Sequence, residues 1–211
     1  MKLVSLISGG IDSPVATFLL AKKADEIILV HADIYPFSDF REVNNFLKIA
    51  EHLKTKIRPK IKIYLVEHGP SLESYKQNSN SRFTCVFCKR MLLRYAEKIA
   101  KIEGADAIIM GDSLGQVASQ TLQNIKTIEQ AVSIPILRPL IGMDKEEVVK
   151  IAKKIGTYEL SILPSQNCTA VPNKPATMAK IEKIQEEESK INIDYLVKNA
   201  VSGSEIIKYN K

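Results

Sequence analysis

Cysteine occurs only three times, as Cys85, Cys88 and Cys168. An odd set of three excludes a framework of paired structural disulfides and suits a reducing compartment. No apolar run approaches the ~18 residues of a membrane-spanning helix. The chain enters a strand at once, with no signal-peptide layout ahead of it. The expected location is therefore cytoplasmic, with no membrane partner. Internal repeats, low-complexity linkers and a convincing second domain are also lacking. Two familiar phosphate-binding patterns are missing too. No glycine-rich loop ends in Gly-Lys-Ser/Thr, and no G-x-G-x-x-G follows the first strand.

What is present suffices for one substantial core. The chain has 211 residues, 45% of them hydrophobic, which excludes wholesale disorder. Net charge is +6, a balance that admits a polyanion such as RNA without requiring one.

The opening fixes the architecture. Lys2 to Ile7 reads as a buried strand, Pro14 to Ala24 as a helix and Glu26 to Ala32 as a second strand. Strand, helix and strand within about thirty residues make a βαβ unit, whose strands are parallel. Phe40 to Leu53 carries a helical apolar stripe, and Ile61 to Val66 is a third strand. Pro70 to Asn80 and Val86 to Ile102 read as helices, and Ala107 to Met110 as a further strand. Gln116 to Ala131 is expected to be helical. Ile134 to Leu140, broken by two prolines, reads as a short edge strand or extended segment. Asp144 caps a helix from Lys145 to Ile155, ended by Gly156. After a proline-rich loop, Thr177 to Ser189 forms a charged helix and Asp194 to Ala200 a final short one. The fold class is α/β, a doubly wound, mostly parallel sheet. Residues 1–190 are expected to form the domain and 191–211 a C-terminal helical tail.

Ser8-Gly9-Gly10-Ile11-Asp12-Ser13 sits between the first strand and the first helix. Its glycines let the backbone approach a ligand, and free N–H groups at a helix start attract phosphate. Ser13 is expected to cap that helix, with Pro14 in its first turn. Asp12 repels phosphate unaided, so it suits a metal ion or a positioning hydrogen bond. Gly111 to Gln120 brings glycines, an acid, hydroxyls and amides to another strand end, where a base, ribose or phosphate can be read. Cys85-Val86-Phe87-Cys88 opens a helix, and Lys89 and Arg90, two cations suited to ATP phosphates, follow it. The pair suits redox, zinc or iron–sulfur chemistry, and the helix start and cations favour thiolate. Cys168 lies in a proline-bounded loop able to reach the same rim.

SGGIDS resembles the PP-loop of ATP pyrophosphatases, which split ATP into AMP and pyrophosphate. SGGIDSPVA, CVFCKRMLLRYAEKIA, MGDSLGQVASQTLQNI, ILRPLIGMDKEEVVKIAKKIGTYELS and NCTAVPNKPAT occur in the order seen in ThiI, the tRNA 4-thiouridine synthetase family. The likeness runs from about Leu3 to Glu188. It implies an adenine-nucleotide α-hydrolase-like fold and an ATP-dependent, AMP-forming replacement of uridine O4 by sulfur in tRNA. ATP contacts carried over from the family are Leu6, Ile7, Ser8, Gly9, Gly10, Asp12, Ser13, His31, Ala32, Lys89, Gly111 and Gln120. Asp12 supports Mg²⁺ or the phosphates, and Cys168 carries or delivers sulfur. By the same resemblance, Cys85, Cys88 and Cys168 are expected to hold an iron–sulfur cluster. The sulfur donor expected from the resemblance is sulfide or a persulfide carrier.

The resemblance omits the THUMP and rhodanese domains common in that family. The expectation is a stand-alone catalytic domain whose tRNA is held by its basic surface, a homodimer mate or a separate THUMP-type protein. Two other readings compete. One is a PP-loop enzyme adenylating another RNA base or a small molecule. The other is a non-catalytic subunit that binds nucleotide or RNA.

Overall fold

The computed structural model describes residues 1–208. In chain order the elements are β1 (Lys2–Leu6), α1 (Asp12–Ala21), β2 (Glu26–Asp33), α2 (Phe40–Lys56), β3 (Lys60–Glu67) and α3 (Gly69–Asn78). There follow α4 (Thr84–Glu103), β4 (Ala107–Ile109), α5 (Leu122–Glu129), β5 (Ile136–Leu137) and α6 (Lys145–Ile155). The chain continues through α7 (Tyr158–Ser161), α8 (Ile181–Glu188), α9 (Ile193–Ser202) and β6 (Glu205–Lys208).

Among the described residues the strands form one sheet in the order β5-β4-β1-β2-β3-β6. All neighbours are parallel except β3 and β6. The chain builds outward from β1 through β2 to β3, then returns to the other side of β1 for β4 and β5. That reversal opens a crevice at the carboxyl ends of β1 and β4, where open α/β sheets bind ligands.

Both faces of the central strands β1, β2 and β4 are buried, which explains why these strands read as continuous apolar runs. The alternation along β2 divides its residues between two cores. Ile27 and Leu29 meet Phe46, Ile49, Ala50 and Leu53 of α2. Ile28 and Val30 face Phe87, Met91, Tyr95 and Ile99 of α4. Leu3, Ala107 and Ile109 pack with Val15 and Ala16 of α1 and with Val148, Ala152 and Ile155 of α6.

Several boundaries differ from expectation. α1 begins at Asp12, and Ser13 does not cap it; its hydroxyl instead accepts the Ser8 N–H. The expected helix from Gln116 starts only at Leu122. Gly115 takes a left-handed backbone, φ +75°, and the Thr121 hydroxyl caps the helix by accepting the Asn124 N–H. The charged helix expected from Thr177 begins at Ile181, because Thr177 and Ala179 give their carbonyls to Thr121 and Thr127. The helical tail is corrected as well. α9 is helical, but Glu205–Lys208 forms an antiparallel edge strand on β3. That strand carries no periodic signal of its own and takes its register from its neighbour. Residues 209–211 of the expected tail lie outside the described residues.

Candidate nucleotide site

The crevice between β1 and β4 is a cleft of about 340 Å³. Of the residues that the resemblance names as ATP contacts, Leu6, Ile7, Ser8, Gly10, Asp12, Ser13, His31, Ala32, Lys89, Gly111 and Gln120 line this cleft. Gly9 stands in the same turn but not in the cleft wall, facing Glu42 and Asn45. Cys88 lines the cleft, whereas Cys85 and Cys168 do not.

The glycine turn is held by its own hydroxyls. Ser8 N–H donates to Ser13 Oγ at 2.9 Å, and Gly10 N–H donates to Ser8 Oγ at 3.2 Å. Those two N–H groups are thus spent within the turn rather than left free for phosphate. Gly111 makes the turn possible from the other side. A Cβ there would stand 2.8 Å from both Ser13 Cα and Ser13 N, too close for any side chain. Gly111→Ala must push α1 away from the β4 loop. The expected result is a loss of about 1–3 kcal/mol in stability and a nucleotide affinity weakened at least several-fold, checked by thermal melting and ATP titration.

Charge in the cleft is organised in pairs that sequence reading did not find. Lys145 Nζ, at the start of α6, donates to Asp12 Oδ1 at 2.6 Å. Lys89 Nζ donates to Asp112 Oδ1 at 2.6 Å, and Arg138 Nε donates to Asp112 Oδ2 at 3.2 Å. Burial alone would raise the Asp112 carboxyl. Lys89 and Arg138 outweigh it and hold the group below the usual carboxylate range.

Two expected contacts change character. His31 is 1% exposed and both its nitrogens are engaged, Nδ1 with the Ile7 carbonyl at 3.0 Å and Nε2 with Glu42 at 2.9 Å. Its ring stacks on Phe46 at 4.1 Å. His31 therefore braces β1 against α2 at the cleft wall. Arg90, read as a phosphate contact, is 2% exposed and points the other way, onto Glu188. The helical period explains the split: Lys89 faces the rim and Arg90 the core beneath α8.

The cysteines gather on one side of the cleft. Cys88 and Cys168 both pack against Phe37, Leu72 and Ala170. The Cys168 loop is pinned there by Ser38, whose hydroxyl donates to the Gln166 carbonyl at 2.7 Å, and by the Thr169 N–H, which donates to Phe37 O at 2.8 Å. The expected tilt toward thiolate is reversed. Burial pushes the Cys88 thiol up to about 12, with Cys168 and Cys85 adding to the rise and Lys89 opposing it. Cys85 is raised in the same way, by burial and then Cys168. One cation does not offset desolvation and mutual repulsion. His68, fully buried and driven down to about 3 by that burial, meets Cys88 Sγ through Nε2 at 3.2 Å. Among the described residues, no three His, Cys, Asp or Glu side chains are gathered as ligands for a metal ion. The donor chemistry nevertheless suits a three-cysteine cluster. All three thiols are free, and Cys168 lies near enough to raise both others.

A mostly parallel sheet with a glycine turn at its reversal point, and a carboxylate and a cation beside that turn, is a fold of the PP-loop ATP pyrophosphatase type. The sequence matches the family described as thiamine biosynthesis protein (ThiI) over residues 1–193, and the chain belongs to that family. It is 45% identical over 193 residues to a probable tRNA sulfurtransferase of Methanothermobacter thermautotrophicus, covering 91% of this chain and 50% of that protein. A probable tRNA sulfurtransferase of Finegoldia magna is 41% identical over 205 residues, covering 96% and 52%. The chain thus spans about half the length of the curated relatives it matches. Among solved structures, a crystal structure of a 4-thiouridine synthetase–RNA complex with bound ATP superposes with a TM-score of 0.92 at 34% identity, covering 98% of this chain and 54% of that one. NMN synthetase from Francisella tularensis, at 15% identity and a TM-score of 0.59 over 96% of this chain and 76% of that one, shares the fold. No helix among the described residues is long and apolar enough to cross a membrane.

Proposed function

We propose that this chain uses ATP to activate a uridine of tRNA and then replaces its O4 with sulfur, giving 4-thiouridine. The observation that carries the reading is the cleft itself, where a glycine turn, Asp12, Lys89 and Cys88 meet at one sheet reversal. The names of the relatives and the ATP- and RNA-bound state of the similar synthetase support it.

In the first step, uridine O4 attacks the α-phosphorus of ATP. The O4–P bond forms as the bond to pyrophosphate breaks, pyrophosphate leaves with the electron pair, and the N3 proton passes to water. Lys89 places a positive charge where negative charge grows. The glycine turn admits the phosphates at the start of α1. Asp12, at the cleft wall, is the carboxylate that would hold Mg²⁺ against the phosphates, where one or two carboxylates suffice. In the second step, hydrosulfide attacks C4, AMP departs with O4 and the electron pair of the C4–O4 bond, and the proton carried in on sulfur moves to N3. Cys85, Cys88 and Cys168 would hold an iron–sulfur cluster, which would offer an iron to bind sulfide. Cys168 stands on the loop that the Ser38 hydroxyl and the Phe37 carbonyl fix beside the cleft.

The two steps are separable. With Cys168→Ser, release of pyrophosphate from ATP in the presence of unmodified tRNA is expected to persist within a few-fold of wild type. Formation of 4-thiouridine is expected to be lost. Full thiolation by the variant would remove Cys168 from the mechanism. Iron and sulfide analysis of anaerobically purified protein decides between a cluster and free thiols.

A further inference from the structure

Asp112 stands in the cleft wall, yet its carboxylate faces two cations of its own chain. It is 4% exposed. One oxygen takes Lys89 Nζ at 2.6 Å and the other takes Arg138 Nε at 3.2 Å. Arg138 is itself tied to Glu129 through Nη1 at 3.2 Å. The carboxylate cannot follow Lys89 into the cleft without abandoning Arg138. The loop that carries it cannot move freely either, because Gly111 seats its backbone directly against Ser13.

We propose that Asp112 is a positioning residue: it holds the Lys89 ammonium at the point in the cleft where the reacting phosphate gains charge, and Arg138 keeps Asp112 from giving way. A lysine on a four-carbon stem has many rotamers, and an ammonium left to find its place loses most of its value to a transition state. A buried carboxylate beside it settles the rotamer before ATP arrives. The proposal rests on the reading of the cleft as an ATP site.

The charge count gives the proposal a distinctive signature. Lys89 and Arg138 carry two positive charges and Asp112 one negative, so the trio offers one net positive charge to a polyphosphate. Asp112→Asn removes the negative charge and frees Lys89. Ground-state attraction for ATP rises while placement is lost. Affinity and rate therefore move in opposite directions. A residue needed only for folding would lower both.

The test pairs calorimetric titration of Mg²⁺-ATP with single-turnover AMP formation on unmodified tRNA. For D112N, the ATP dissociation constant is expected to stay level or tighten by about 3-fold, and AMP formation to slow by about 100-fold. Asp112→Glu, which restores the charge, is expected to recover part of the rate. In a Lys89→Met background, D112N is expected to add no more than about 2-fold, because its effect passes through Lys89. Arg138→Gln leaves the Lys89–Asp112 pair in place and serves the same test if D112N does not fold. Its rate is expected to fall about 10-fold, with affinity weakened by no more than about 3-fold for the one positive charge lost. A wild-type rate in D112N, or affinity and rate falling together, would overturn the role given to Asp112. Wild-type protein that binds no ATP would overturn the ATP reading itself. Wild-type protein that binds ATP but forms no AMP on tRNA would overturn only the tRNA assignment, and the affinity arm would then decide on Asp112.

Discussion

Asp12→Asn is expected to abolish AMP formation, by about 1,000-fold or more, while leaving the protein folded. The residue sits at the first position of α1, beside the glycine turn, with Lys145 on its Oδ1. That ion pair is half-exposed, so losing it costs at most about 1 kcal/mol. A carboxylate next to a triphosphate is repulsive unless a cation stands between them. The charge is useful only for holding Mg²⁺, or for fixing Lys145, against the departing pyrophosphate. D12N is therefore expected to bind ATP without Mg²⁺ no worse than wild type, and to lose the gain in affinity that Mg²⁺ gives. Calorimetric titration with and without Mg²⁺, beside a pyrophosphate-release assay, checks both. Turnover within 3-fold of wild type would remove Asp12 from the chemistry.

Glu188→Gln has the largest expected effect on stability. Glu188 accepts Arg90 through Nε at 2.8 Å and Nη2 at 2.9 Å, and Arg94 through two further bonds at 2.7 and 2.8 Å. Removing its charge leaves Arg90, 2% exposed, as an uncompensated buried cation. The expected loss is about 3–5 kcal/mol, a fall in melting temperature of roughly 10 °C for a chain of this size. The consequence reaches the cleft, because α4 carries Cys85, Cys88 and Lys89 on the same helix as Arg90 and Arg94.

The same residue gives a pH signature. Burial works to raise the Glu188 carboxyl, but Arg94 and Arg90 outweigh it and hold it below its ordinary value of 4.5. A carboxyl lowered on folding contributes stability that is fully present above the ordinary value. That contribution is lost as pH falls below 4.5 through the folded value. Melting temperature of the wild type is expected to drop on acidification through this window, and the drop is expected to be smaller in E188Q. Equal acid sensitivity in both would assign the effect to other carboxyls.

The parts of this molecule legible in its sequence are those set by local pattern. β1 and β2 were visible because a strand buried on both faces is a solid apolar run, and the βαβ spacing fixed their parallel order. Ser8 to Ser13 was visible because two glycines and two hydroxyls stand where a strand becomes a helix. Charge pairing was not visible, because it depends on partners far apart in the chain. Lys145 lies 133 residues from Asp12, Arg138 lies 26 from Asp112 and Glu188 lies 98 from Arg90. The sequence likewise shows Cys85 and Cys88 beside two cations but not their burial, and burial turns the expected lowering of both thiols into a rise. His31 was found by its place at a strand end. That Ile7 and Glu42 occupy both its nitrogens follows only from the packing of α2.

The central assignment, ATP-driven thiolation of tRNA uridine, is tested most directly by the 4-thiouridine content of tRNA from cells in which the gene encoding this chain has been deleted. The expected result is loss of 4-thiouridine, restored by the wild-type gene but not by D12N or C168S. An unchanged level of 4-thiouridine in the deletion strain would contradict the assignment.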